Sequence, residues 1–226
     1  MPKSGLRNGV TQSAEDYLKT IYKLQSSGAR VTTNDLAKAL KVAPASVTNM
    51  AKKLAESGLL RHTKHRGVAL TPSGEKIALE MIRHHRLLEL YLLEAMGYSW
   101  DRVHDEAEKL EHHISEEFEE RIDQLLGHRK RDPHGDPIPD RNGAIEAREE
   151  SLMAELNVGQ SAVVSRVSDE DPAVLRYLKQ LGLVLDTRIV LTKKAPFNGP
   201  LELRIGRSRQ TVGHELARTI HVADIE

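Results

Sequence analysis

Residues 11 to 71 are cut into short pieces by Gly28, Pro44, Gly58 and Gly67, with apolar side chains at helical spacing between the cuts. Gly past a helix end and Pro at its first turn are stop and start signals, so this stretch is expected to fold as several short elements. The first helix, "AEDYLKTIYKL", is expected to be capped by Ser13, to bury Tyr17, Leu18, Ile21, Tyr22 and Leu24, and to end at Gly28. Thr33 then caps "NDLAKAL", the tight connection "KVAP" follows, and "ASVTNMAKKLAESG" forms a helix that stops at Gly58. Two helices at this spacing form a helix-turn-helix. The next stretch, "LLRHTKHRGVALT", holds two extended runs joined by a basic turn and reads as a β-hairpin wing.

The net charge of zero conceals a segregation. Residues 1–71 carry 12 Lys and Arg against 4 Asp and Glu, whereas residues 72–128 carry 6 against 14. A basic module followed by an acidic one suits a polyanion binder joined to a cation sensor. The chain has no cysteine, hence no disulfide framework and no thiolate for soft metals. It also shows no membrane-length apolar run and no signal pattern, so a soluble, cytoplasmic protein without a membrane partner is expected.

Beyond the wing, "TPSGEKIALEMIRHHRLLELYLLEAMG" predicts a long helix capped at Thr71 or Ser73, stopping at Gly97 and suited to dimerisation. "SWDRVHDEAEKLEHHISEEFEERIDQLLG" predicts two more helices with a break near Ser115. The prolines and glycines of "HRKRDPHGDPIPDRNG" make it a loop and the expected domain boundary. After it, "SAVVSRVS", "TRIVLTKKAP" and "LELRIGRSRQTV" read as strands around the helix "DPAVLRYLKQLG", a small SH3-type barrel. The expected fold is mainly α with a small β part. It comprises a winged helix-turn-helix over residues 1–71, a helical metal-binding and dimerisation domain over 72–143, and an SH3-like domain over 144–226.

The acidic half holds the densest chemistry. "HDEAEKLEHH" read as a helix puts His104, Glu108, Glu111 and His112 on one face, beside an apolar stripe of Ala107, Leu110 and Ile114. A lone Glu or His on a helix is usually a solvated residue. Several carboxylate and neutral imidazole neighbours beside a core, however, cannot pair one another when all the acids are ionised, and a cation resolves the conflict. The preceding helix adds His85 and Glu89 at i and i+4.

In the helix-turn-helix, Ala43, Ala45, Ser46, Thr48 and Asn49 are the residues expected to face base edges. Asn49 can pair bidentately with adenine and Ala45 offers only contact with a thymine methyl. Ser46, Lys52, Lys53, Arg61, Lys64 and Arg66 are read as phosphate contacts, which set affinity rather than sequence. With alanines in reading positions, specificity is expected to lean on DNA shape or thymine methyls.

These motifs, together with "PASVTNMAKKLAESGLL", "RHHRLLE", "VHDEAEKLEHHIS" and "DPHGDPIP", resemble the diphtheria toxin repressor family of metal-activated regulators along the whole chain. The resemblance implies a homodimer that binds palindromic double-stranded operator DNA when metal-loaded, represses metal uptake, and uses no organic cofactor. It implies two metal sites per subunit. The primary site joins Asp16 to Glu108, Glu111 and His112. The ancillary one joins His85, Glu89 and His104 to an acid of the third domain, for which "SDEDP" offers Asp169, Glu170 and Asp171, with Asp169 preferred.

Iron-type members carry Met and Cys where this chain has Asp16 and Glu108, and manganese-type members carry Asp and Glu, so Mn²⁺ is the expected effector with Fe²⁺ as alternative. Short manganese-type members place a further Glu one turn after the Asp. This chain has Lys19 there, and an ammonium cannot coordinate a cation. Two separated sites are therefore expected in place of a close pair.

Two other classes are open to a sequence of this kind. A two-metal carboxylate enzyme calls for Glu-x-x-His at i and i+3 from two helices, whereas "EKLEHH" places His112 four residues after Glu108, and no nucleophile motif or phosphate loop is present. A winged-helix regulator answering to a non-metal ligand would leave the His and Glu cluster structural, which metal titration separates.

Overall fold

The computed structural model describes residues 9–26, 28, 30–63, 67–168 and 171–226. In chain order it contains α1 (Gln12–Ser26), α2 (Thr33–Ala39), α3 (Pro44–Glu56), β1 (Leu60–Thr63), β2 (Gly67–Leu70), α4 (Pro72–Glu94), α5 (Val103–Leu110) and α6 (Glu116–Leu125). There follow β3 (Ser151–Leu152), a 3₁₀ turn, β4 (Ser161–Val167), α7 (Pro172–Leu181), β5 (Arg188–Lys194), β6 (Leu201–Ile205), β7 (Ser208–Val212), α8 (His214–Ala217) and β8 (Ile220–Ala223). Among the described residues no helix is long and apolar enough to cross a membrane. The chain divides into two compact units, one of residues 1–87, 108–128 and 139–145, the other of residues 88–107, 129–138 and 146–226.

The first unit is built on the amphipathic faces of its short helices. Tyr17, Leu18 and Ile21 from α1, Leu36 from α2, Val47, Ala51 and Leu54 from α3, Val68 from the hairpin and Ile77 from α4 form one buried cluster. Tyr22 and Leu24, also expected inside, are only partly buried against it. Two caps sit one or two residues earlier than the sequence suggests. The Thr11 hydroxyl, in place of Ser13, accepts from Ala14 N at 3.3 Å. Thr32, in place of Thr33, accepts from Asp35 N while Asp35 accepts from Thr32 N, a reciprocal box. α3, by contrast, starts at Ala43 with no side-chain cap and Pro44 in its first turn.

The hairpin pairs Leu60 with Leu70 and Thr63 with Gly67. Val68 N donates to Val31 O at 3.0 Å, which attaches the wing to the segment before α2. Thr71 joins wing to α4: its hydroxyl accepts from Gly74 N and donates to Gly58 O. A β-carbon on Gly74 would lie 2.1 Å from Leu59 O, so only glycine lets α4 start this close to the wing.

From Ile77 to Leu90, α4 is buried at nearly every position. Its buried Arg83 is satisfied on all sides of the guanidinium, with Nε donating to Glu119 Oε1 (2.5 Å), Nη2 to Asp123 Oδ2 (2.9 Å) and Nη1 to Pro139 O (2.8 Å). His84 Nε2 reaches the other Glu119 oxygen at 3.0 Å. α6 is started by Ser115, whose hydroxyl accepts from Phe118 N, at the break expected there.

The second unit centres on an antiparallel six-stranded sheet in the order β3-β8-β4-β5-β6-β7. Register shifts between Val164 and Arg166 and between Leu191 and Lys193 bend it in the manner of a small barrel. α7 lies between β4 and β5 in sequence, capped by Asp171 and stopped by Gly182 in the left-handed region, and its Leu175 and Leu178 enter the core with Val164, Leu191, Leu203 and Val222. The loop "DPHGDPIP" is fixed from within. Asp132 Oδ1 accepts from His134 N and Asp136 N, Trp100 Nε1 donates to Pro133 O, and the His134 ring stacks on Trp100 at 5.7 Å. Gly135, at φ +91, passes so close to Ser165 O that a β-carbon would sit 2.2 Å away.

Glu119 contributes to how the first unit responds to acid. Burial alone raises its pKa, but the hydrogen bonds and charges of His84 and Arg83 outweigh this and hold it below the ordinary value of 4.5. Because the folded value is depressed, the stabilisation is fully present above the unfolded pKa and fades as pH falls through the folded one. Glu119→Gln is expected to cost roughly 3 kcal/mol at neutral pH by leaving buried Arg83 with Asp123 as its one remaining carboxylate partner. In urea titrations from pH 7 down to 3 the variant's acid limb should be shallower than that of the unmodified chain. Equal midpoints at neutral pH would show that the pair carries no net stability.

Candidate metal centre

The residues that converge in the first unit come from α1 and from the turn that follows α5. The sequence reading carries the helix through His112, but α5 ends at Leu110 and residues 111–113 form a turn. This turn carries Glu111 and His112 inward. It leaves Leu110 exposed, although the helical periodicity assigns it to the apolar stripe, while Ala107 is buried and Ile114 only partly so.

One carboxylate oxygen each from Asp16 and Glu111 and one ring nitrogen of His112 lie within 4.8 Å of one another. His112 Nε2 is 3.0 Å from Asp16 Oδ1 and 3.5 Å from Glu111 Oε1. Its Nδ1 donates to Glu15 Oε2 at 2.7 Å, and Glu15 is fully buried. Burial pushes the imidazole pKa down. The hydrogen bonds to Asp16 and Glu15, with the charges of Asp16 and Glu111, more than offset this and place it at about 9. A proton on His112 thus holds together carboxylates that would otherwise repel. Two carboxylates and an imidazole nitrogen are a hard donor set without sulfur, which fits Mn²⁺ or Fe²⁺.

Glu111, fully buried, is engaged at both oxygens. Oε1 accepts from Lys19 Nζ at 2.5 Å and Oε2 from His85 Nδ1 at 2.6 Å. Lys19 Nζ also donates to Glu108 Oε1 at 2.7 Å. Burial drives the ammonium pKa down, but Glu111 and Glu108 raise it overall. The Glu111 carbonyl accepts from His84 Nδ1 at 3.1 Å, so the turn is held through its backbone as well.

Of the residues expected in the ancillary site, His85 thus belongs to the first unit, bonded to Glu111, while Glu89 and His104 belong to the second, where His104 Nδ1 stands 3.1 Å from Glu89 Oε1. Glu89 there also groups with Asp132 and His134, ligand atoms within 4.8 Å and all buried. Asp169 and Glu170 lie outside the described residues; Asp171 is described and caps α7 with Oδ1 accepting from Ala173 N.

Of the DNA-facing set, Ala45, Ser46, Asn49, Lys52 and Lys53 project from the exposed side of α3, opposite buried Val47, Ala51 and Leu54. Ala43 is exposed at the helix start and Arg61 on the wing. Thr48 is half-buried and its hydroxyl donates to Pro44 O, which commits its proton within the helix. Lys64 and Arg66 lie outside the described residues.

Sequence reasoning passed over Glu15, Asp132, His134 and Arg83. Glu15 left a visible trace, since an acid three residues before Leu18 and four before Lys19 lies on the buried face of α1.

A winged helix-turn-helix joined to an acid and imidazole centre defines a metal-responsive DNA-binding protein. Three family profiles match in order: the iron dependent repressor N-terminal DNA binding domain over residues 9–68, the iron dependent repressor metal binding and dimerisation domain over 71–140, and the FeoA domain over 152–224. The chain is 31% identical over 233 residues to the iron-dependent repressor IdeR of Mycobacterium tuberculosis, spanning 96% of this chain and all of that one. It is 39% identical over 116 residues to the HTH-type transcriptional regulator MntR of Lysinibacillus sphaericus, covering 51% of this chain and 83% of the relative.

Among solved structures, a manganese-dependent transcriptional repressor in complex with manganese superposes with a TM-score of 0.86 at 40% identity, covering 93% of this chain and 99% of that one. IdeR of T. acidophilum gives 0.75 at 29%, covering 92% and 96%. The chain belongs to the iron-dependent repressor family, and it is a metal-dependent transcriptional repressor with a C-terminal FeoA-type domain. The resemblance drawn from the motifs and the expected fold class are borne out.

Glu15 fixes which nitrogen of His112 faces Asp16, the role that a carboxylate behind a metal-bound histidine plays elsewhere. Glu15→Gln is expected to raise the Mn²⁺ dissociation constant by about tenfold with the number of ions bound unchanged. Isothermal titration of the metal-free chain measures both, and an unaltered constant would reduce Glu15 to a packing residue.

Proposed function

We propose that Mn²⁺ is the effector, with Fe²⁺ as the alternative, and that the primary site consists of Asp16, Glu108, Glu111 and His112. The observation that carries this reading is the convergence of Asp16, Glu111 and His112 without a sulfur donor. The second site retains the assignment implied by the resemblance, His85, Glu89 and His104, with Asp169 preferred among the acids at 169 to 171. The active species is a cytoplasmic homodimer on a palindromic operator, where it represses metal uptake. No organic cofactor and no catalysis are part of this reading.

A divalent ion bound there would supply two positive charges in place of the His112 proton. Asp16 is carried by α1, which packs into the DNA-binding module, and Glu111 and His112 are carried by the turn after α5. Holding these three groups at one point sets the position of α1 against that turn. The arrangement in which Asp16 and His112 are drawn together is the one proposed to present α3 to a major groove, with the two α3 helices of a dimer about 34 Å apart.

Asn49 and Ala45 are proposed to face bases, and Ala43 to lie beside them. Ser46, Lys52, Lys53 and Arg61, together with Lys64 and Arg66, are assigned to phosphates. The N-terminal end of α3, which no side chain caps, carries a partial positive charge that favours a phosphate there. Thr48 is kept as a weaker reading contact because its hydroxyl is bound within the helix.

Fluorescence anisotropy on pooled promoter DNA at fixed salt, with EDTA, Mn²⁺, anoxic Fe²⁺ and Zn²⁺ in parallel, tests the effector. Tight binding with Mn²⁺ that EDTA reverses is expected, and equal binding in all four would make the cluster structural. Asp16→Ala is expected to keep the wild-type melting curve and lose most of the Mn²⁺ enhancement, on the order of tenfold or more. A variant still fully Mn²⁺-dependent would place the primary site elsewhere. Lys53→Ala should weaken binding to all sequences alike and reduce the slope of log affinity against log salt by about 0.9 per subunit; a sequence-selective loss would assign Lys53 to bases.

A further inference from the structure

Lys19 stands one helical turn after Asp16 on α1, so the two side chains share a face. A lysine in such a place ordinarily snorkels, burying its stem and leaving its ammonium in water. This one does not. The residue is 5% exposed, and Nζ lies 2.7 Å from Glu108 Oε1 and 2.5 Å from Glu111 Oε1. Glu111 Oε1 also lies 3.5 Å from His112 Nε2, which stands 3.0 Å from Asp16 Oδ1. The ammonium therefore occupies the space between two carboxylates proposed as ligands, beside the Asp16 and His112 pair.

We propose that the Lys19 ammonium is a resident cation of the primary centre, standing in for a second metal ion and limiting the centre of Asp16, Glu108, Glu111 and His112 to one divalent ion. The inference rests on the metal reading above. Charge and geometry both support it. Glu108 and Glu111 are already balanced by a positive group, so a second divalent ion between them would displace Nζ from its buried position or face it as a like charge. Glu111 Oε1 has a second lone pair left for an ion on the Asp16 side, which lets one carboxylate oxygen serve Lys19 and the metal together. Lys19 cannot be removed by a chelator, so the tie from α1 to Glu108 and Glu111 persists without metal. Only the Asp16 and His112 side of the centre then changes on loading.

The test counts ions. Full-length chain is stripped of metal, equilibrated with Mn²⁺ at one free concentration by dialysis, and assayed for Mn²⁺ per chain and by electron paramagnetic resonance. The forms compared are the unmodified chain, Lys19→Glu, Lys19→Met and Asp16→Ala. Each form is also assayed with His104→Ala, which removes a proposed ancillary ligand, so that differences kept on that background report on this centre. Lys19→Glu is expected to bind one more Mn²⁺ per chain than the unmodified form, with the resonance broadened by coupling between two close ions. Lys19→Met, which removes the charge and adds no ligand, is expected to keep the count and bind Mn²⁺ at least about fivefold more tightly.

A folded Lys19→Glu with the unmodified count overturns the proposal. Should Lys19→Glu fail to fold, Lys19→Met decides: an unchanged or weaker affinity overturns it. An unmodified chain that already holds two coupled ions, both lost in Asp16→Ala, overturns it as well. Asp16→Ala separates this inference from the reading beneath it. If Asp16→Ala leaves the count untouched, the metal-centre assignment fails; if it lowers the count by one while neither Lys19 variant behaves as stated, only the role of Lys19 fails.

Discussion

The first unit depends on the burial of one carboxylate, Glu111. An ionised carboxylate taken out of water is costly unless its lone pairs are filled by charged or polar donors. Here Lys19 fills one side, His85 the other, and the Glu111 backbone carbonyl takes His84. These partners come from α1 and α4, so a single buried group draws both helices onto the turn after α5. The short α5 follows from the same demand. Continued as a helix, residues 111 and 112 would stay in the row set by His104 and Glu108; released into a turn, they face α1.

The winged helix-turn-helix was legible because its signals are local. Gly28, Pro44, Gly58 and Gly67 mark boundaries, and apolar spacing marks the buried faces of α1 and α3. The errors there are small and have a common cause. Thr11 competes with Ser13 and Thr32 with Thr33, and the winner is set by which hydroxyl reaches a free backbone N–H, a fact of geometry rather than composition.

The centre was legible in part. Asp16, Glu108, Glu111 and His112 are named by motif, but their pairing spans roughly ninety positions of sequence, and no periodicity reveals it. Lys19 was legible as a residue that cannot be a ligand; that its head group lies inside, against Glu108 and Glu111, became visible only in three dimensions. Arg83 and Glu119 were invisible for the same reason, since charged residues on helices usually face water.

The neighbouring histidines of α4 have an effect on how that helix can move. His84 and His85 are successive residues, about 100° apart around the axis, and each is committed to a different acid, Glu119 for the first and Glu111 for the second. Arg83, one residue earlier, is fixed to Glu119, Asp123 and Pro139. Rotating this stretch in either direction would pull at least one of these donors from its buried acceptor. Around residues 83–85 α4 is therefore torsionally locked, and any adjustment there has to be a slide or a tilt of a rod that keeps its azimuth.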